Sequence, residues 1–377
     1  MRNLLFTPGP LTTSEEVKAA MLHDAGSRDR AFLAVIKEVR QKLLAIAGSK
    51  DDYEAILMQG SGTFGIEAVL SSCIAPSGRL LVAVNGAYGR RMVDIARRLG
   101  IHAVTIQGPE HLPVNPRAVV EALAAEPGIT HLGIIHCETT TGILNPVEEI
   151  GVLAHDFHVP LIVDAMSSFG AVPLDTHKAN AAYVISSANK CLEGVPGFSF
   201  TIARRAELLA SEGSARSVAL DVHAQWRGLE KDGQFRFTPP THVILAFAQA
   251  LREFEAEGGL DGRAGRYKAN REILRDGMKR LGFREYLAPE FQSHIITSFL
   301  YPDLRPFDFE AFYSRLAERG FTIYPGKVSG AACFRIGTIG RLFPADFEKL
   351  TAAIGVVLTE MGFEPGNLMK EEAACER

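Results

Sequence analysis

A lysine and an aspartate each follow a short apolar run, at positions that could support chemistry on a carbonyl compound. Asp164 comes directly after Leu161–Val163. Lys190 follows the next such run, Tyr183–Ile185, and lies 26 positions beyond the aspartate. Continuous apolar runs suit strands buried on both faces, and in open α/β sheets the carboxyl ends of the strands face the ligand crevice. A lysine amine attacks carbonyl carbons once its pKa falls, and a carboxylate can keep a pyridine nitrogen protonated.

Each of these two residues also has a simpler interpretation. Most lysines are solvated, so Lys190 alone fits an ordinary side chain at the end of a strand. Asp164 alone fits a turn residue, a helix cap or a metal ligand. Because the two residues end consecutive strands, the functional interpretation of both is favoured.

A glycine-rich turn follows a third apolar run and is typical of a phosphate site. The segment Gln59–Gly65 comes after Ala55–Met58 and opens what we predict to be an amphipathic helix. Glycines let the backbone approach a phosphate closely, and a helix N-terminus offers free N–H groups and the positive end of the helix dipole. With two hydroxyl donors beside the glycine, Ser61, Gly62 and Thr63 are candidate phosphate ligands.

The same turn also matches the dinucleotide-binding pattern G-x-G-x-x-G, with glycines at 60, 62 and 65. That fold expects an acidic residue about 20 positions further on, at the end of the second strand, to hold a ribose. The second strand predicted here is Leu80–Val84, and it ends in Asn85-Gly86. A dinucleotide site is therefore disfavoured, while a purely structural tight turn stays open.

Three further positions could contribute to a cofactor or substrate site. Tyr88 follows a predicted strand and could stack on a flat cofactor, or be a packed tyrosine. The segment His136–Gly142 ends a later strand with three threonines, one of which could reach a ring oxygen. A metal site built on His136 and Glu138 is weakly indicated, since no partner pair has ligand spacing. Arg335 lies inside a predicted strand, where an arginine needs an anion or a structural ion pair.

Apolar runs alternate with helix-like segments from about residue 54 to 204, and these elements must position the candidate residues. Such alternation predicts βαβ units and a mostly parallel sheet covered by helices. Two of the helices are predicted to open with an Asn N-cap and a Pro at the first helical position, at Asn115-Pro116 and Asn145-Pro146. The seven predicted strands are Ala55–Met58, Leu80–Val84, Ala103–Ile106, Leu132–Ile135, Leu161–Val163, Tyr183–Ile185 and Phe198–Ile202.

The pattern changes after about residue 240 and indicates a second, smaller α/β unit. We predict helices over residues 241–257, 262–281, 308–319 and 344–361. We predict strands over residues 294–301, 321–324 and 333–336. The final segment, residues 365–377, is polar and is predicted to be disordered.

Composition limits the classes of protein to which the chain can belong. It has 377 residues, 47% of them apolar, and a formal net charge of −4. The length predicts two domains, and the negative charge argues against nucleic acid or an anionic membrane as the main partner. The five cysteines form no CxxC pair, so we predict reduced thiols in a cytoplasmic protein and no zinc ribbon. The first apolar run is too short for a signal peptide, and no run of about 18 apolar residues predicts a membrane span.

Six motifs, in their order along the chain, resemble one protein family. They are Gly-Ser-Gly-Thr at 60–63, Asn-Gly-Ala-Tyr-Gly at 85–89, Glu-Thr-Thr-Thr-Gly at 138–142, Val-Asp-Ala-Met-Ser-Ser at 163–168, Ser-Ser-Ala-Asn-Lys at 186–190 and Phe-Arg-Ile-Gly at 334–337. They are similar to those of the class V, fold-type I aminotransferases, which use pyridoxal 5'-phosphate (PLP). Longer strings, such as Thr7–Thr13, Arg236–His242 and Tyr324–Val328, resemble the subfamily that transaminates 2-aminoethylphosphonate with pyruvate.

The resemblance, which covers about residues 3 to 362, implies a fold and an assembly. The fold is that of a fold-type I PLP transferase, α/β in class, with a large domain built on a mostly parallel seven-stranded sheet and a smaller C-terminal α/β domain. The implied boundaries are an N-terminal segment at the active site over 1–20, the large domain over 21–257 and the small domain over 258–364. A homodimer with shared active sites is implied, in which Thr238 reaches the cofactor phosphate of the neighbouring subunit.

The resemblance also implies roles for individual residues. Lys190 should form a Schiff base with PLP, Asp164 should pair with the pyridine nitrogen, and Arg335 should bind the acidic group of the substrate. The implied PLP contacts are Ser61, Gly62, Thr63, Tyr88 as the stacking aromatic, Thr139 near the ring oxygen, Asp164, Met166, Asn189, Lys190 and Thr238. The implied substrate contacts are Arg335, Gly9, Arg28 and Lys327, the last two as additional cations for a phosphonate. The segment Asp24–Asp29 departs from the family pattern, in which an aromatic is common near position 25.

The implied reaction converts 2-aminoethylphosphonate and pyruvate into phosphonoacetaldehyde and L-alanine, as a step of phosphonate catabolism. The same cofactor residues would serve an alanine–glyoxylate or serine–pyruvate aminotransferase, which stays open as the nearest alternative. A non-catalytic PLP carrier or regulator and a dehydrogenase also stay open. A cysteine desulfurase is disfavoured, because no cysteine lies on an obvious mobile loop.

Overall fold

Seven apolar runs in the sequence become the seven strands of one large sheet. The computed structural model describes residues 3–49 and 51–369. Every predicted strand between residues 55 and 202 lies in this sheet, each extended by one to four residues. The chain is therefore α/β with a large, mostly parallel sheet and a smaller second sheet, which confirms the predicted fold class.

The elements alternate regularly as far as β10 and less regularly after it. The strands are β1 (Leu4–Leu5), β2 (Tyr53–Gln59), β3 (Arg79–Val84), β4 (His102–Gln107), β5 (His131–Ile135), β6 (Cys137–Glu138), β7 (Ile143–Leu144), β8 (Leu161–Asp164), β9 (Ala181–Ser187), β10 (Phe198–Arg204), β11 (Ile296–Leu300), β12 (Phe321–Thr322), β13 (Tyr324–Pro325) and β14 (Cys333–Gly337). The helices are α1 (Glu15–Ala19), α2 (Arg30–Ile46), α3 (Gly62–Cys73), α4 (Ala87–Arg98), α5 (Pro116–Ala125), α6 (Val147–Asp156), α7 (Arg205–Ala210), α8 (Val222–Asp232), α9 (Thr241–Ala256), α10 (Gly259–Arg280), α11 (Phe309–Glu318) and α12 (Pro344–Glu360).

The large sheet has the strand order β2-β10-β9-β8-β5-β3-β4. Strands β3, β4, β5, β8 and β9 pair in parallel, whereas β10 is antiparallel to both of its neighbours. Because β10 alone is reversed, β2 points the same way as β9 and β8. The turn after β2, the end of β8 at Asp164 and the turn after β9 that carries Lys190 therefore meet at one edge of the sheet.

Burial explains why the central strands are continuously apolar. All seven residues of β9 are buried, and so are all four of β8, because helices cover both faces of the sheet. The edge strand β4 instead has only exposed and half-buried residues. The topology also disfavours the dinucleotide alternative, since β2 and β3 are separated by four strands and do not form an adjacent βαβ unit.

The second sheet, β11-β14-β13, is antiparallel and packs with α10, α11 and α12 around a core rich in phenylalanine. The rings of Phe283 and Phe334 lie 5.3 Å apart in an edge-to-face arrangement. The N-terminal strand β1 pairs with β12, with Leu4 opposite Phe321, before the chain crosses to the large sheet. These clusters agree with a large and a small unit, whose exact boundaries stay a prediction.

The predicted start of one helix was wrong. Helix α5 begins at Pro116, and the side chain of Asn115 caps it as predicted. The side chain of Asn145 is instead buried, where it accepts from the Val114 N–H and donates to the Ile135 carbonyl. Because the Asn145 amide forms these two hydrogen bonds, it does not cap α6, which begins at Val147.

Other elements were missed or read incompletely from sequence. Helices α2 and α8 were not predicted, although both have an apolar face. Helix α3 was expected to be amphipathic, but it packs against the large sheet with most of its residues buried. Of the segment predicted to be disordered, residues 365–369 include the buried Leu368, and residues 370–377 lie outside the described part of the chain.

Two general expectations concern thiols and membranes. Cys73, Cys137, Cys191 and Cys333 are free and buried, and Cys375 lies outside the described residues. Among the helices that the structure describes, none has the length and apolar character needed to cross a bilayer. The cytoplasmic location stays a prediction.

Candidate active site

Lys190 lies in the turn after β9 and points back at the N-terminal segment. Its Nζ donates to the carbonyl oxygens of Pro8 (2.6 Å) and Gly9 (3.2 Å). Removal from water lowers the pKa of Lys190, because burial disfavours the ammonium form. Gly9 has a φ of +100°, and a Cβ there would lie 2.7 Å from the Lys190 Cδ. Glycine is therefore required at position 9 for this approach.

Asp164 ends β8 on the neighbouring strand, with only 7% of its surface exposed. Burial raises its pKa to about 6, although the Met166 N–H (2.9 Å) and the charges of Arg91 and Lys190 act in the opposite direction. No arginine, lysine or histidine of the described residues forms an ion pair with Asp164. A buried carboxylate with one backbone donor suits a positively charged group that the protein itself does not supply.

The glycine-rich turn leads into α3, as predicted. Ser61 is the N-cap residue, but its side chain makes no capping hydrogen bond, so it does not satisfy the first N–H groups of the helix. A Cβ on Gly62 would lie 2.2 Å from the Met166 Sδ, so a larger residue there would displace the methionine side chain that follows β8. The Thr63 hydroxyl accepts from Arg91 at 3.1 Å.

Tyr88 lies in the first turn of α4, where a buried carboxylate holds the helix N-terminus. Glu138 accepts from the N–H groups of Tyr88 (3.0 Å) and Gly89 (3.4 Å), and also from the Thr140 hydroxyl (2.8 Å). This contact fixes Tyr88 relative to the strand that leads to Thr139. Glu138, weighed from sequence as a metal ligand, thus has a positioning role, and no three His, Cys, Asp or Glu side chains in residues 3–49 and 51–369 converge on a metal site.

Arg91 is a residue of the site that sequence reasoning missed. It follows Tyr88 by nearly one helical turn, and its guanidinium carbon lies 4.6 Å from the centre of the Tyr88 ring. It also donates to Thr63 of the glycine-rich turn. The i, i+3 spacing from Tyr88 was the available signal, because residues at that spacing share a helix face.

Arg335 lies in β14 and reaches across to the large sheet. Its side chain is 2% exposed, its Nε donates to the Pro325 carbonyl (2.9 Å) and its Nη1 donates to the Thr139 carbonyl (2.9 Å). Burial lowers its pKa. Within the described part of the chain no carboxylate pairs with it, so the structural ion pair considered from sequence is absent there. An anion from outside the chain would complete its hydrogen bonding.

Several of these side chains, although not that of Arg335, line one cavity at the edge of the large sheet. Its lining includes Gly62, Thr63, Tyr88, Arg91, Thr139, Asp164, Met166 and Lys190. Asn189 adjoins Lys190, and Lys327 lies in the loop between β13 and β14. Arg28 and Thr238 are exposed, and neither lines this cavity. The carbonyl of Thr238 accepts from Gln59 at 3.1 Å, next to the glycine-rich turn.

Comparison with known proteins assigns the chain to a family. The model of the aminotransferase class V family matches residues 12–337. The chain belongs to the class V aminotransferases. The predicted family resemblance is thereby confirmed, and with it the assignment of the chain as an aminotransferase.

Two curated relatives are about equally similar to the chain. The 2-aminoethylphosphonate–pyruvate transaminase of Klebsiella pneumoniae is 50% identical over 353 residues, which cover 93% of this chain and 96% of the relative. The protein of the same name from Syntrophobacter fumaroxidans is 50% identical over 351 residues, which cover 93% and 95%. Among solved structures, the alanine–glyoxylate aminotransferase of a Nostoc species has a TM-score of 0.87 at 26% identity, covering 95% of this chain and 96% of that one.

A buried ion cluster lies directly behind the lysine of this class V aminotransferase. Glu193, three residues after Lys190, has a φ of +59° and accepts from Arg266 (2.7 Å) and from the Tyr267 hydroxyl (2.6 Å). Arg263 donates to the Cys191 carbonyl. The cluster thus ties the lysine-bearing turn to the long helix α10, which packs in the smaller unit.

Replacing Glu193 by alanine is expected to lower the free energy of unfolding by about 3–5 kcal/mol. The change would leave the buried guanidinium of Arg266 with one carboxylate partner fewer, and urea denaturation would measure the loss. The exposed pair of Arg79 and Glu126 (2.8 Å) is the control, since Glu126→Ala should cost no more than about 1 kcal/mol. Equal losses at the two sites would contradict a stabilising role for the buried cluster.

Proposed function

We propose that this class V aminotransferase catalyses PLP-dependent transamination between 2-aminoethylphosphonate and pyruvate, giving phosphonoacetaldehyde and L-alanine. The observation that carries the proposal is the convergence, in one cavity, of the Lys190 amine, whose pKa is lowered, and the buried carboxylate of Asp164, which forms no ion pair with the described part of the chain. Arg335 adds an arginine without a carboxylate partner beside them. The 50% identity with relatives of that name supports the substrates, against 26% with the alanine–glyoxylate enzyme.

The residues present fit PLP. Asp164 suits a protonated pyridine nitrogen, because such a cation would offset the burial that raises the carboxylate pKa. Ser61, Gly62 and Thr63 would hold the phosphate at the start of α3. Lys190 would bind the aldehyde carbon, and Tyr88 would stack on the ring. We propose Thr139, Met166 and Asn189 as further contacts.

PLP, when bound, supplies an electron-accepting ring that stabilises negative charge on the substrate carbon. The protein moves the protons. Lys190 Nζ would act as general base on the aminomethylene carbon of the donor and return a proton to the α-carbon of the forming alanine. Asp164 would hold the proton on the pyridine nitrogen throughout. The carbonyls of Pro8 and Gly9 would orient the lysine between these positions.

We propose that the acidic group of each substrate binds Arg335, which takes the carboxylate of pyruvate in one half-reaction and the phosphonate in the other. A phosphonate carries up to two negative charges, so a second cation is expected to strengthen its binding. Lys327 is a candidate within one chain, because it lies two residues after Pro325, whose carbonyl accepts from Arg335, and because its charge contributes to lowering the pKa of Tyr88. Gly9 lies next to Lys190 and would border the donor.

A spectral titration tests the proposal directly. The purified, PLP-loaded protein is titrated separately with 2-aminoethylphosphonate, L-serine and L-alanine, while the yellow absorbance band of the bound cofactor is followed. We expect the band to be lost at low concentrations of the phosphonate and of L-alanine, the two amines of the reaction, but not of serine. Preference for serine, or for alanine without any response to the phosphonate, would favour the alternative aminotransferases, and no change with any amine would favour a PLP carrier.

We also propose a homodimer in which the partner subunits share active sites. Thr238 is exposed and lies beside Gln59, at the start of the phosphate turn, so it is accessible to a second copy. Phe64 and Phe237, near the same turn, are 53% and 46% exposed. Arg28 is exposed too and would serve the partner's site.

Replacing Phe237 by aspartate is expected to convert the dimer to a monomer, because a charge would be buried in the contact. Light scattering would report the mass. The control is Val152→Asp, since Val152 is a similarly exposed apolar residue on α6. A monomeric unsubstituted protein would contradict the shared-site arrangement, and a persistent Phe237→Asp dimer would place the contact elsewhere.

A further inference from the structure

The loop between β13 and β14 is tied to the large sheet by one carboxylate. Glu110, which follows β4, accepts from the Ser329 N–H at 2.8 Å and from the Arg90 guanidinium at 2.7 Å. Its side chain is only 10% exposed. Burial opposes ionisation, yet these two hydrogen bonds keep the pKa of Glu110 below its usual value, so the carboxylate is charged at neutral pH.

The contact fixes the backbone of the loop and not only a side chain. At the base of the loop, the Gly326 N–H donates to the Cys333 carbonyl at 3.0 Å, and a Cβ on Gly326 would lie 2.3 Å from that oxygen. The hairpin therefore fixes the backbone at the base of the loop, and the hydrogen bond from Ser329 to Glu110 fixes the backbone at its tip. Arg90 belongs to α4, the same helix that carries Tyr88, so the loop is anchored to an element of the cavity.

Lys327 lies between the two anchored points of this loop. Its side chain is exposed, and no acidic residue of the described chain forms an ion pair with it. Burial would raise the pKa of Tyr88, but a hydrogen bond with Thr139 and the charges of Lys190, Lys327 and Arg335 lower it. The Pro325 carbonyl, two residues before Lys327, accepts from Arg335 Nε at 2.9 Å, so the loop begins beside that guanidinium. Lys327 and Arg335 therefore both belong to the surroundings of Tyr88.

We propose that Glu110 is a positioning residue that sets donor specificity, by anchoring the loop over residues 326–332 so that Lys327 joins Arg335 at the anion end of the site. The inference rests on the proposed function. A dianionic phosphonate is bound more tightly by two adjacent cations than by one, whereas the single charge of a carboxylate can be paired by the guanidinium of Arg335 alone. Loss of the anchor should therefore weaken binding of the phosphonate more than binding of an amino acid.

The test compares two donors in single half-reactions of the PLP-loaded protein. In Glu110→Ala, the half-saturating concentration of 2-aminoethylphosphonate is expected to rise about tenfold, whereas that of L-alanine should change less than about twofold. The maximal rate with either donor should stay within about twofold. Glu110→Gln, which keeps an acceptor for Ser329, should give an intermediate value. The control Glu121→Ala removes an exposed glutamate from α5 and should change neither donor.

Two further measurements separate positioning from general damage. Amide hydrogen exchange over residues 326–332 should accelerate in Glu110→Ala and not in Glu121→Ala. The double variant Glu110→Ala/Lys327→Met should behave like Lys327→Met alone, because the anchor acts through the lysine.

Three outcomes would overturn the inference: equal losses with both donors, unchanged exchange of the loop, or additive effects in the double variant. Failure of the unsubstituted protein to respond to the phosphonate would reject the proposed function instead, so the two failures are distinguishable.

Discussion

Replacing Lys190 by alanine is expected to lower the rate of transamination by about 10⁴-fold. The substitution removes the amine that would bind the cofactor aldehyde and the base that would move the substrate proton. Single-turnover absorbance with 2-aminoethylphosphonate measures the remaining rate. Because the side chain of Lys190 forms no ion pair with any of the described residues and contacts two backbone carbonyls, the variant should stay folded, which thermal unfolding would verify.

A lysine remote from the cavity provides the matched control for this experiment. Lys178 has a side chain that is 71% exposed and that lies 3.9 Å from the carboxylate of Asp175. Lys178→Ala should leave the rate unchanged. Transamination retained in Lys190→Ala, or lost equally in both variants, would end the mechanism proposed for this site.

Replacing Asp164 by asparagine is expected to lower the rate by about 10²–10³-fold while making the cofactor-free protein more stable. The amide keeps the shape of the side chain but cannot hold a proton on the pyridine nitrogen. Burial raises the pKa of Asp164 from 3.8 to about 6. The folded state therefore binds this proton more tightly than the unfolded chain, and stability is lost as pH rises from about 4 to about 6.

At pH 8 the charged carboxylate costs the cofactor-free protein about 3 kcal/mol, which Asp164→Asn should recover. Urea denaturation at pH 8 and pH 4 measures the difference, which should nearly vanish at the lower pH. The exposed Asp94 on α4 offers a control, since Asp94→Asn should change neither stability nor rate. A destabilised cofactor-free Asp164→Asn protein would show that the carboxylate has a structural partner.

The parts of the site that lie at strand ends could be predicted from sequence. Continuous apolar runs identified β8 and β9, and the polar residues after them gave Asp164 and Lys190. The glycine-rich turn was recognisable because its backbone conformation requires particular residue types. In each of these cases the functional residue lies within a few positions of the sequence pattern that identifies it.

The parts that depend on contacts between distant segments could not be predicted. Glu110 meets Ser329 across 219 positions, and Arg335 meets Thr139 across 196. No local periodicity records such pairs. Asn145 is a further example of a residue whose distant contacts override its local pattern. Its local sequence is typical of a helix cap, but its side-chain amide forms hydrogen bonds with the backbone of Val114 and Ile135.

The residues proposed to hold the cofactor and those proposed to bind the acidic group of the substrate lie in different parts of the chain, and this separation affects how the protein could change its substrate. Every residue proposed to touch the cofactor within one chain lies between positions 61 and 190, whereas Arg335 and Lys327 both belong to the hairpin formed by β13 and β14. The two cations proposed to bind the acidic group of the substrate and the residues proposed to carry the chemistry are therefore encoded in separate stretches of the gene. Exchange of the codons for residues 324–337, together with that for Glu110, could change the amine that the enzyme accepts while the residues proposed to hold the cofactor stay the same.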